Sequence, residues 1–342
     1  MPLLDVRDLR VAFHTDDGTV RAVDGMSFAV DRGRTLAIVG ESGSGKSVSV
    51  QTVVGLTRGA RVEGQAFFDG ADLLAMPETE RRRLRGARIG MVFQDPLSSL
   101  HPHYKVGWQI VEAIRAHRAV SKKAARARAV ELLGLVGIPR PVERVDDYPH
   151  QFSGGMRQRA MIAMALALDP ALLIADEPTT ALDVTVQAQI LDLLRRLRDE
   201  LGTAVVVITH DLGVVADMAD DVVVMYAGKP VEHADRRTLY YRPHHPYTRG
   251  LLRSLPTGTA RRLTPIPGQP PSLITVPSGC PFHPRCPQRF APCASDPPPL
   301  VRVGGGAGHR STCWLPPDRV GRDEPAGAAP ASAADLAGRA ER

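Results

Sequence analysis

Gly40-Glu41-Ser42-Gly43-Ser44-Gly45-Lys46-Ser47 is the stretch of sequence that decides the fold. Four free positions separate two glycines, and Lys and Ser follow, which is the pattern of a phosphate-binding loop. The apolar residues 35–39 before the loop predict a buried strand, and residues 47–56 after it predict a helix. Backbone N–H groups and a helix N-terminus therefore converge on the loop, and both favour a bound phosphate.

The residue types in this loop suit contacts with a nucleotide. Glycine permits positive φ and lets the backbone approach a phosphate closely. Lys46 would reach the β- and γ-phosphates, and the Ser47 hydroxyl would ligate Mg²⁺. The residues predicted to bind the nucleotide here are Gly40, Ser42, Gly43, Ser44, Gly45, Lys46 and Ser47.

Length and composition predict one large domain with an appendage. The chain has 342 residues, which is long enough to bury a sizeable core. No apolar run approaches the roughly 18 to 20 residues that span a bilayer. The first residues lack the basic and then apolar pattern of a secretory signal, so we expect the protein to stay in the cytosol.

The net charge of +6 is concentrated in one segment. Residues 256–315 hold six basic residues and one acidic residue, whereas residues 1–255 are nearly balanced. A general nucleic-acid binder would carry its basic residues as a stripe on the main domain. The distribution therefore argues against nucleic acid as a partner.

The segments around the loop predict strands and an inserted helical region. Residues 3–11 and 26–30 alternate apolar and polar residues, which predicts paired antiparallel strands. Phe13, at the end of the first, is placed to stack on a purine ring, although a half-buried strand aromatic is the simpler local interpretation. Residues 106–117 and 121–136 have helical spacing, and Ser121 is a suitable N-cap.

Three further strands end in polar residues that suit phosphate chemistry. Residues 171–176 form an apolar strand that ends in Asp176 and then Glu177. Neighbouring strand residues face opposite sides, so Asp176 is the candidate Mg²⁺ ligand and Glu177 the candidate group for activating water. Gln94 ends another strand and could meet a metal-bound water. His210 ends a third, either as a γ-phosphate sensor or as a cap of the next helix.

A second anion site is predicted at Ser153-Gly154-Gly155, which precedes a helical segment. One chain with two phosphate-binding helix starts either binds two nucleotides or shares one with a neighbouring subunit. The spacing along the chain does not decide between these alternatives.

With these residues in hand, the chain resembles the ATP-binding cassette (ABC) ATPases. The usual signature of the family is Leu-Ser-Gly-Gly-Gln, and here Phe152 and Met156 replace its first and last residues. The six motifs of the family occur in order: the phosphate loop 40–47, the Q-loop residue Gln94, the signature 152–156, the Walker B strand 172–176 with Glu177, the D-loop Ala181-Leu182-Asp183 and the switch residue His210.

The resemblance implies a role for each matched residue. The substrate nucleotide would be ATP, Phe13 would stack on its adenine, and Asp183 would contribute to the nucleotide site. Catalysis would fall to Glu177 and His210 with Gln94. Mg²⁺ would be held by Ser47, Gln94 and Asp176. Two such subunits would pair head to tail, so that Ser153, Gly154 and Gly155 of one contact the ATP held by the other.

The resemblance also implies the fold class and the domain limits. We expect an α/β fold, an ABC-type P-loop NTPase with an antiparallel β subdomain, a helical insertion and an irregular Cys- and Pro-rich C-terminal extension. The ATPase domain would cover residues 1–255, with the insertion at about 95–155. The extension would cover 256–315, and 316–342 would be a disordered tail because they lack apolar periodicity.

A closer resemblance links the chain to dipeptide and oligopeptide importers. It rests on residues 92–96, 148–151, 175–185, 225–228 and 245–248. It implies a subunit that hydrolyses ATP to power peptide import from the cytoplasmic face of the cell membrane. Its partners would be a second, non-identical ABC ATPase subunit, two membrane-spanning permease subunits and an extracytoplasmic peptide-binding protein.

Three other functions are weighed against peptide import. Nickel or metal-chelate importers are built from near relatives of the same subunits. A soluble ABC ATPase acting on ribosomes or DNA would be expected to carry a second cassette or a long coiled-coil insertion, and the chain has neither. A non-hydrolytic ABC-like protein is disfavoured by the presence of Glu177.

The four cysteines lie together in the Pro-rich extension. In a cytosolic chain such clustering indicates metal rather than disulfides. A zinc site usually contains a Cys-x₂₋₄-Cys pair, which is absent, and four thiolates on irregular loops suit a [4Fe–4S] cluster. Zinc and unliganded structural thiols stay open as alternatives. The peptide-importer resemblance likewise implies an iron–sulfur cluster, whose negative charge Arg285, Arg289 and Arg310 would offset. The cysteines are Cys280, Cys286, Cys293 and Cys313.

Overall fold

The computed structural model describes residues 1–95, 99–180, 182–255, 265–304 and 308–316. The predicted disordered tail lies outside these residues apart from residue 316, and so does Ala181 of the D-loop. The strands in chain order are β1 (Leu4–Thr15), β2 (Gly18–Val30), β3 (Thr35–Val39), β4 (Ala60–Phe68), β5 (Ala71–Asp72), β6 (Ile89–Val92), β7 (Leu172–Asp176), β8 (Ala204–Thr209), β9 (Asp221–Tyr226), β10 (Lys229–Asp235), β11 (Leu300–Arg302) and β12 (Arg310–Thr312).

The described α-helices in chain order are α1 (Lys46–Val53), α2 (Glu78–Leu84), α3 (Val106–Arg115), α4 (Lys122–Leu135), α5 (Pro141–Arg144), α6 (Gly154–Ala165), α7 (Val184–Leu201), α8 (Leu212–Met218), α9 (Arg236–Tyr241), α10 (Pro246–Arg253) and α11 (Pro292–Ser295). The chain divides into two compact units. The first unit comprises residues 1–3, 30–34 and 69–208, and the second comprises residues 4–29, 35–68 and 209–342.

An antiparallel sheet in the second unit confirms the predicted antiparallel β subdomain. Strand β1 lies between β2 and β4. It pairs antiparallel with β4, so that Leu4 lies opposite Phe68 and Phe13 lies opposite Ala60. Buried and exposed residues largely alternate along β1, because one face of this sheet meets the core and the other meets solvent.

The phosphate-binding loop follows β3, a second-unit strand that is buried throughout. Strand β3 pairs in parallel with β9, with Leu36 opposite Asp221 and Val39 opposite Val224. Strand β9 then pairs antiparallel with β10. The loop therefore begins at the carboxyl end of a parallel strand, which is where ligands bind in open α/β sheets.

Strand β7 organises the sheet strands of the first unit. It pairs in parallel with β6 and with β8, so that Val92 lies opposite Ala175 and Asp176 lies opposite Ile208. All five residues of β7 are buried, as expected for a parallel strand covered on both faces. The carboxyl ends of β6 and β7 thus lie side by side at the same edge of the sheet.

The predicted helical insertion contains α3 and α4, which pack against each other and against α6 in the first unit. Ser121 caps α4, since its hydroxyl accepts a hydrogen bond from the N–H of Ala124 at 3.2 Å. The prediction of two helices at 106–117 and 121–136 is therefore confirmed to within two residues at each end.

The extension is irregular over most of its described length, but it also contains two strands that the sequence does not predict. Strand β12 pairs antiparallel with β10, with Glu232 opposite Ser311, and β11 pairs with β12. Each has three residues, which is too short for a visible alternation of apolar and polar residues. None of the helices in the described ranges is long and apolar enough to cross a bilayer.

Candidate nucleotide-binding site

Lys46 holds the phosphate-binding loop in a curved conformation. The side chain is 4% exposed, and its ammonium donates hydrogen bonds to the carbonyls of Gly40 at 2.8 Å and Glu41 at 2.9 Å. The loop backbone therefore curls around the positive charge. Helix α1 begins at Lys46 with glycine at its N-cap, so the first N–H groups of the helix have no capping side chain from that position.

Two glycines of the loop have no room for a side chain. Gly45 has φ 95°, and a Cβ built on it would lie 2.0 Å from the carbonyl oxygen of Ala22. A Cβ on Gly40 would lie 2.2 Å from the carbonyl oxygen of Met225. The close packing of backbone on backbone explains why this part of the loop requires glycine.

Ser44 offers a polar atom that suits a phosphate ligand. Its hydroxyl is buried and has no hydrogen-bond partner among the described residues. A buried hydroxyl without a partner is costly unless a ligand satisfies it. This hydroxyl, the helix start with glycine at its N-cap and the Lys46 charge together fit a nucleotide phosphate.

Gln94 and Glu177 are brought together at the carboxyl ends of β6 and β7. The Gln94 side-chain N–H donates to the Glu177 carboxylate at 3.1 Å, and the Thr180 hydroxyl donates to the same oxygen at 2.8 Å. Glu177 has φ 47°, in the left-handed region that non-glycine residues rarely adopt. Its own N–H donates to the carbonyl of Ile208 at 2.9 Å, which holds this conformation. Asp176, one residue earlier, is buried.

Ser153 and Asp183 each cap a helix of the first unit. The Ser153 hydroxyl accepts from the N–H of Met156 at 3.3 Å, and Asp183 accepts from the N–H of Val186 at 2.9 Å. Both residues were predicted as nucleotide contacts, and the N-cap role was not predicted for either. Ser153 and Gly154 are exposed at the start of α6, which leaves them accessible to another molecule.

Phe13 and His210 belong to the second unit. Phe13 lies near the end of β1 and is partly exposed. His210 is exposed and follows β8. The N-cap of α8 is Asp211, whose carboxylate accepts from the N–H of Gly213 at 2.7 Å, so His210 is not the cap of that helix. The sensor interpretation of His210 stays a prediction.

The four cysteines of the extension line one pocket of the second unit. All four are free thiols, and burial raises the pKa of Cys286 to about 11 and that of Cys313 to about 12. Across the described residues, no group of three or more His, Cys, Asp or Glu side chains is placed to hold a metal ion. Besides Cys280, Cys286, Cys293 and Cys313, the pocket is lined by His245, Pro246, Phe282, His283, Gln288, Phe290, Trp314 and Leu315.

The shared cysteine pocket and the lack of a single-ion site among the described residues are compatible, because a four-iron cluster spaces its ligands differently from a single ion. In the cube each thiolate binds a different iron, so the four sulfurs stand farther apart than the ligands of one ion. Four thiols around one pocket fit such a cluster in number and chemistry.

Arg285, predicted to offset the charge of a cluster, has a different partner. It forms an ion pair with Glu41 of the phosphate-binding loop, with nitrogen–oxygen distances of 2.7 and 3.0 Å. The two residues are 244 positions apart, and the sequence carries no sign of the contact. Arg285 is therefore paired with a carboxylate of the loop, and its role in offsetting the charge of a cluster stays a prediction.

A phosphate-binding loop that opens a helix and an Asp-Glu pair at the end of a parallel strand are the features of a P-loop ATPase. Comparison with known families agrees with this class. The model described as ABC transporter matches residues 23–180, and that described as oligopeptide/dipeptide transporter, C-terminal region, matches residues 231–293.

Sequence identity to individual relatives specifies the family of this chain more closely. The chain is 51% identical to the dipeptide transport ATP-binding protein DppD of Bacillus subtilis, over 93% of this chain and 96% of that protein. It is 51% identical to the oligopeptide transport ATP-binding protein OppD of Escherichia coli, over 86% of this chain and 89% of that protein. The chain belongs to the ATP-binding cassette (ABC) transporter family, as an ATP-hydrolysing subunit.

Solved structures show the same fold. A dimeric ATP-binding cassette in a post-hydrolysis state, bound to ADP and Pi, aligns with a TM-score of 0.62 and 28% identity, over 68% of this chain and 99% of that chain. A component of an ABC transporter complex from Clostridium perfringens aligns with a TM-score of 0.60 and 29% identity, over 70% of this chain and 90% of that chain. The expected fold class is therefore confirmed.

Proposed function

We propose that this subunit powers the import of dipeptides or oligopeptides across the cytoplasmic membrane. The observation that carries the proposal is the match of residues 231–293 to the C-terminal region of oligopeptide/dipeptide transporters. The high identity to DppD over nearly the whole of both chains supports the same substrate class. The protein would act at the cytoplasmic face of the membrane, held there by its partners.

Glu177 is the proposed catalytic base. Its carboxylate is aimed by hydrogen bonds from Gln94 and Thr180, and a carboxylate so fixed can orient an attacking water and take its proton. Lys46 and the N–H groups at the start of α1 would hold the phosphates, and His210 would contact the γ-phosphate. Ser47, Asp176 and Gln94 would hold Mg²⁺, which would supply positive charge beside the phosphates.

The exposed Ser153 and Gly154 support pairing with a second ATPase subunit. In that arrangement the start of α6 would complete the nucleotide site of the partner, and Asp183 would lie near the same junction. Phe13 would stack on the adenine. Two membrane-spanning permease subunits and an extracytoplasmic peptide-binding protein would complete the importer, and the partner ATPase would be a non-identical subunit.

We further propose that Cys280, Cys286, Cys293 and Cys313 hold a [4Fe–4S] cluster. Support comes from the convergence of all four thiols on one pocket and from the burial of Cys280, Cys293 and Cys313. Bound iron would supply the positive charge that deprotonates these thiols. In the importer the cluster would have either a structural role or a redox role. The predicted domain limits, 1–255, 256–315 and 316–342, are part of this proposal.

Transport by the reconstituted importer tests the function and the role of Glu177 together. Glu177→Gln removes the base and leaves the phosphate contacts, so ATP hydrolysis should fall by about a hundredfold or more while ATP still binds. Uptake of a labelled dipeptide into proteoliposomes containing the permease subunits should stop. The control is Glu200→Gln, which changes an exposed carboxylate near the end of α7 and should behave as the wild type.

Two different experimental outcomes would contradict the catalytic and the transport parts of the proposal. Hydrolysis at the wild-type rate in Glu177→Gln would show that another group activates the water. ATP-dependent uptake of a nickel chelate, with no uptake of peptides, would assign the subunit to a metal importer.

A further inference from the structure

Arg285 ties the cysteine-bearing extension to the phosphate-binding loop. It directly precedes Cys286, and its side chain is 6% exposed. Its guanidinium contacts both oxygens of the Glu41 carboxylate, at 2.7 and 3.0 Å. The Nε–H donates to the carbonyl of Pro267 at 2.9 Å, which fixes the orientation of the group. A bidentate pair of this kind is geometrically specific.

Glu41 is also held through its backbone. Its N–H donates to the hydroxyl of Tyr247 at 2.9 Å. Its carbonyl accepts from Lys46 at 2.9 Å and from the N–H of Ser44 at 3.2 Å. One residue of the loop therefore contacts the extension through its side chain and the nucleotide-binding lysine through its carbonyl.

An aromatic cluster connects the same residues to the cysteine pocket. The ring centroids of Tyr226 and Tyr247 lie 4.7 Å apart, and Phe282 packs against them at 5.2 and 5.3 Å. Phe282 is buried, lies between Cys280 and Cys286 in sequence, and lines the cysteine pocket. Packed side chains therefore join the pocket to the loop.

We infer that Arg285 is a positioning residue for nucleotide binding, through which the cysteine pocket and the phosphate-binding loop are energetically coupled. Arg285 acts through Glu41, which sets where Lys46 and the loop backbone stand. Coupling between two sites is reciprocal, so nucleotide at the loop must stabilise the segment 280–286 to the same extent. The inference rests on the proposed role of residues 40–47 in nucleotide binding.

A double-mutant cycle on nucleotide affinity tests the pair. Calorimetric titration of the full chain with Mg²⁺ and ADP would compare Arg285→Gln, Glu41→Gln and the double variant. Each single change should weaken binding by about tenfold, and the double change by no more than either single one. Arg285→Lys, which keeps the charge, should recover part of the loss. Arg302→Gln, at an exposed arginine of the same extension, is the matched control and should bind as the wild type.

Hydrogen exchange measures the reciprocal effect without relying on affinity. The N–H groups of His283 and Arg285 donate to the carbonyls of Cys280 and Phe282, so their exchange reports local opening of the segment. ADP should slow this exchange at least severalfold in the wild-type chain. In Arg285→Gln, saturating ADP should protect the loop amides but leave those of segment 280–286 unchanged.

The outcomes separate the inference from the proposed function. Wild-type affinity in both single variants, or additive losses in the double variant, would overturn the coupling. Equal protection of segment 280–286 by ADP in the wild type and in Arg285→Gln would also overturn it. A wild-type chain that binds no ADP would overturn the proposed function and the coupling with it. If Arg285→Gln is too unstable to purify, the Glu41→Gln chain and the wild-type exchange experiment decide the matter.

Discussion

Gly45 shows how single atoms constrain the phosphate-binding loop. A Cβ at this position would lie 2.0 Å from a backbone oxygen of β2, and φ is 95°. Gly43 in the same loop also has positive φ, at 76°, but a Cβ there would meet nothing within 4 Å. The two glycines therefore separate two effects, the cost of the left-handed conformation and the cost of a collision.

We expect Gly45→Ala to abolish tight nucleotide binding and Gly43→Ala to weaken it only modestly. Both substitutions place alanine in the left-handed backbone conformation, which costs about 1 to 2 kcal/mol of free energy. Only Gly45→Ala must also move the backbone of a neighbouring strand to relieve a steric collision. Calorimetric titration with Mg²⁺ and ADP measures the difference. Equal affinities in the two variants would mean that the loop yields at Gly45 and that the collision has no functional effect.

A buried, hydrogen-bonded carboxylate lies where β10 pairs with β12. Glu232 is 2% exposed, and its carboxylate accepts from His309 at 2.7 Å and from the backbone N–H groups of His244 and His245 at 2.7 and 2.9 Å. Burial by itself would raise the pKa of Glu232, but these hydrogen bonds outweigh it and hold the pKa below its ordinary value of 4.5. The carboxylate thus fastens the second half of the extension to β10.

The depressed pKa of Glu232 predicts a loss of stability in acid. A lowered folded-state pKa stabilises the fold fully above the unfolded-state value of about 4.5, and this contribution is lost as the pH falls below it through the folded-state pKa. Glu232→Gln should lower the free energy of unfolding by about 3 kcal/mol at neutral pH and flatten its decline below pH 4.5, measured by urea denaturation. Glu80→Gln, at an exposed carboxylate of α2, should change neither quantity. An unaltered acid decline in Glu232→Gln would assign that decline to other groups.

Local elements could be predicted from the sequence, and distant pairings could not. The strand, loop and helix around residues 35–56 leave a local pattern, and so does the parallel strand that ends at Asp176. The pairs Glu41–Arg285 and Glu232–His309 join residues that are 244 and 77 positions apart. No local sequence pattern around these residues indicates which distant residue each one contacts. The caps at Ser153 and Asp183 carried a local signal, a polar residue before a helix, that was interpreted only as nucleotide contact.

At the scale of the whole molecule, the extension belongs with the phosphate-binding loop. The second compact unit contains residues 35–68 together with residues 209–342. The predicted boundary at residue 255 separates segments that Arg285, Tyr247 and Phe282 join. Composition marks where the chain changes character, whereas the contacts decide which parts fold together.

The cysteine pocket gives a prediction for the assembled protein. Burial keeps the thiols of Cys286 and Cys313 protonated unless a cation binds, since it raises the pKa of Cys286 to about 11 and that of Cys313 to about 12. Protein purified without oxygen should therefore contain about four irons per chain and absorb broadly in the visible range. Removing the iron with a chelator should lower the Tm by several degrees, because a ligand that binds only the folded state stabilises it. Cys313→Ser should lose iron and show a low Tm that chelator no longer changes. One zinc per chain without colour would replace the cluster with the zinc alternative, and a chain free of both metals would leave the cysteines as structural thiols.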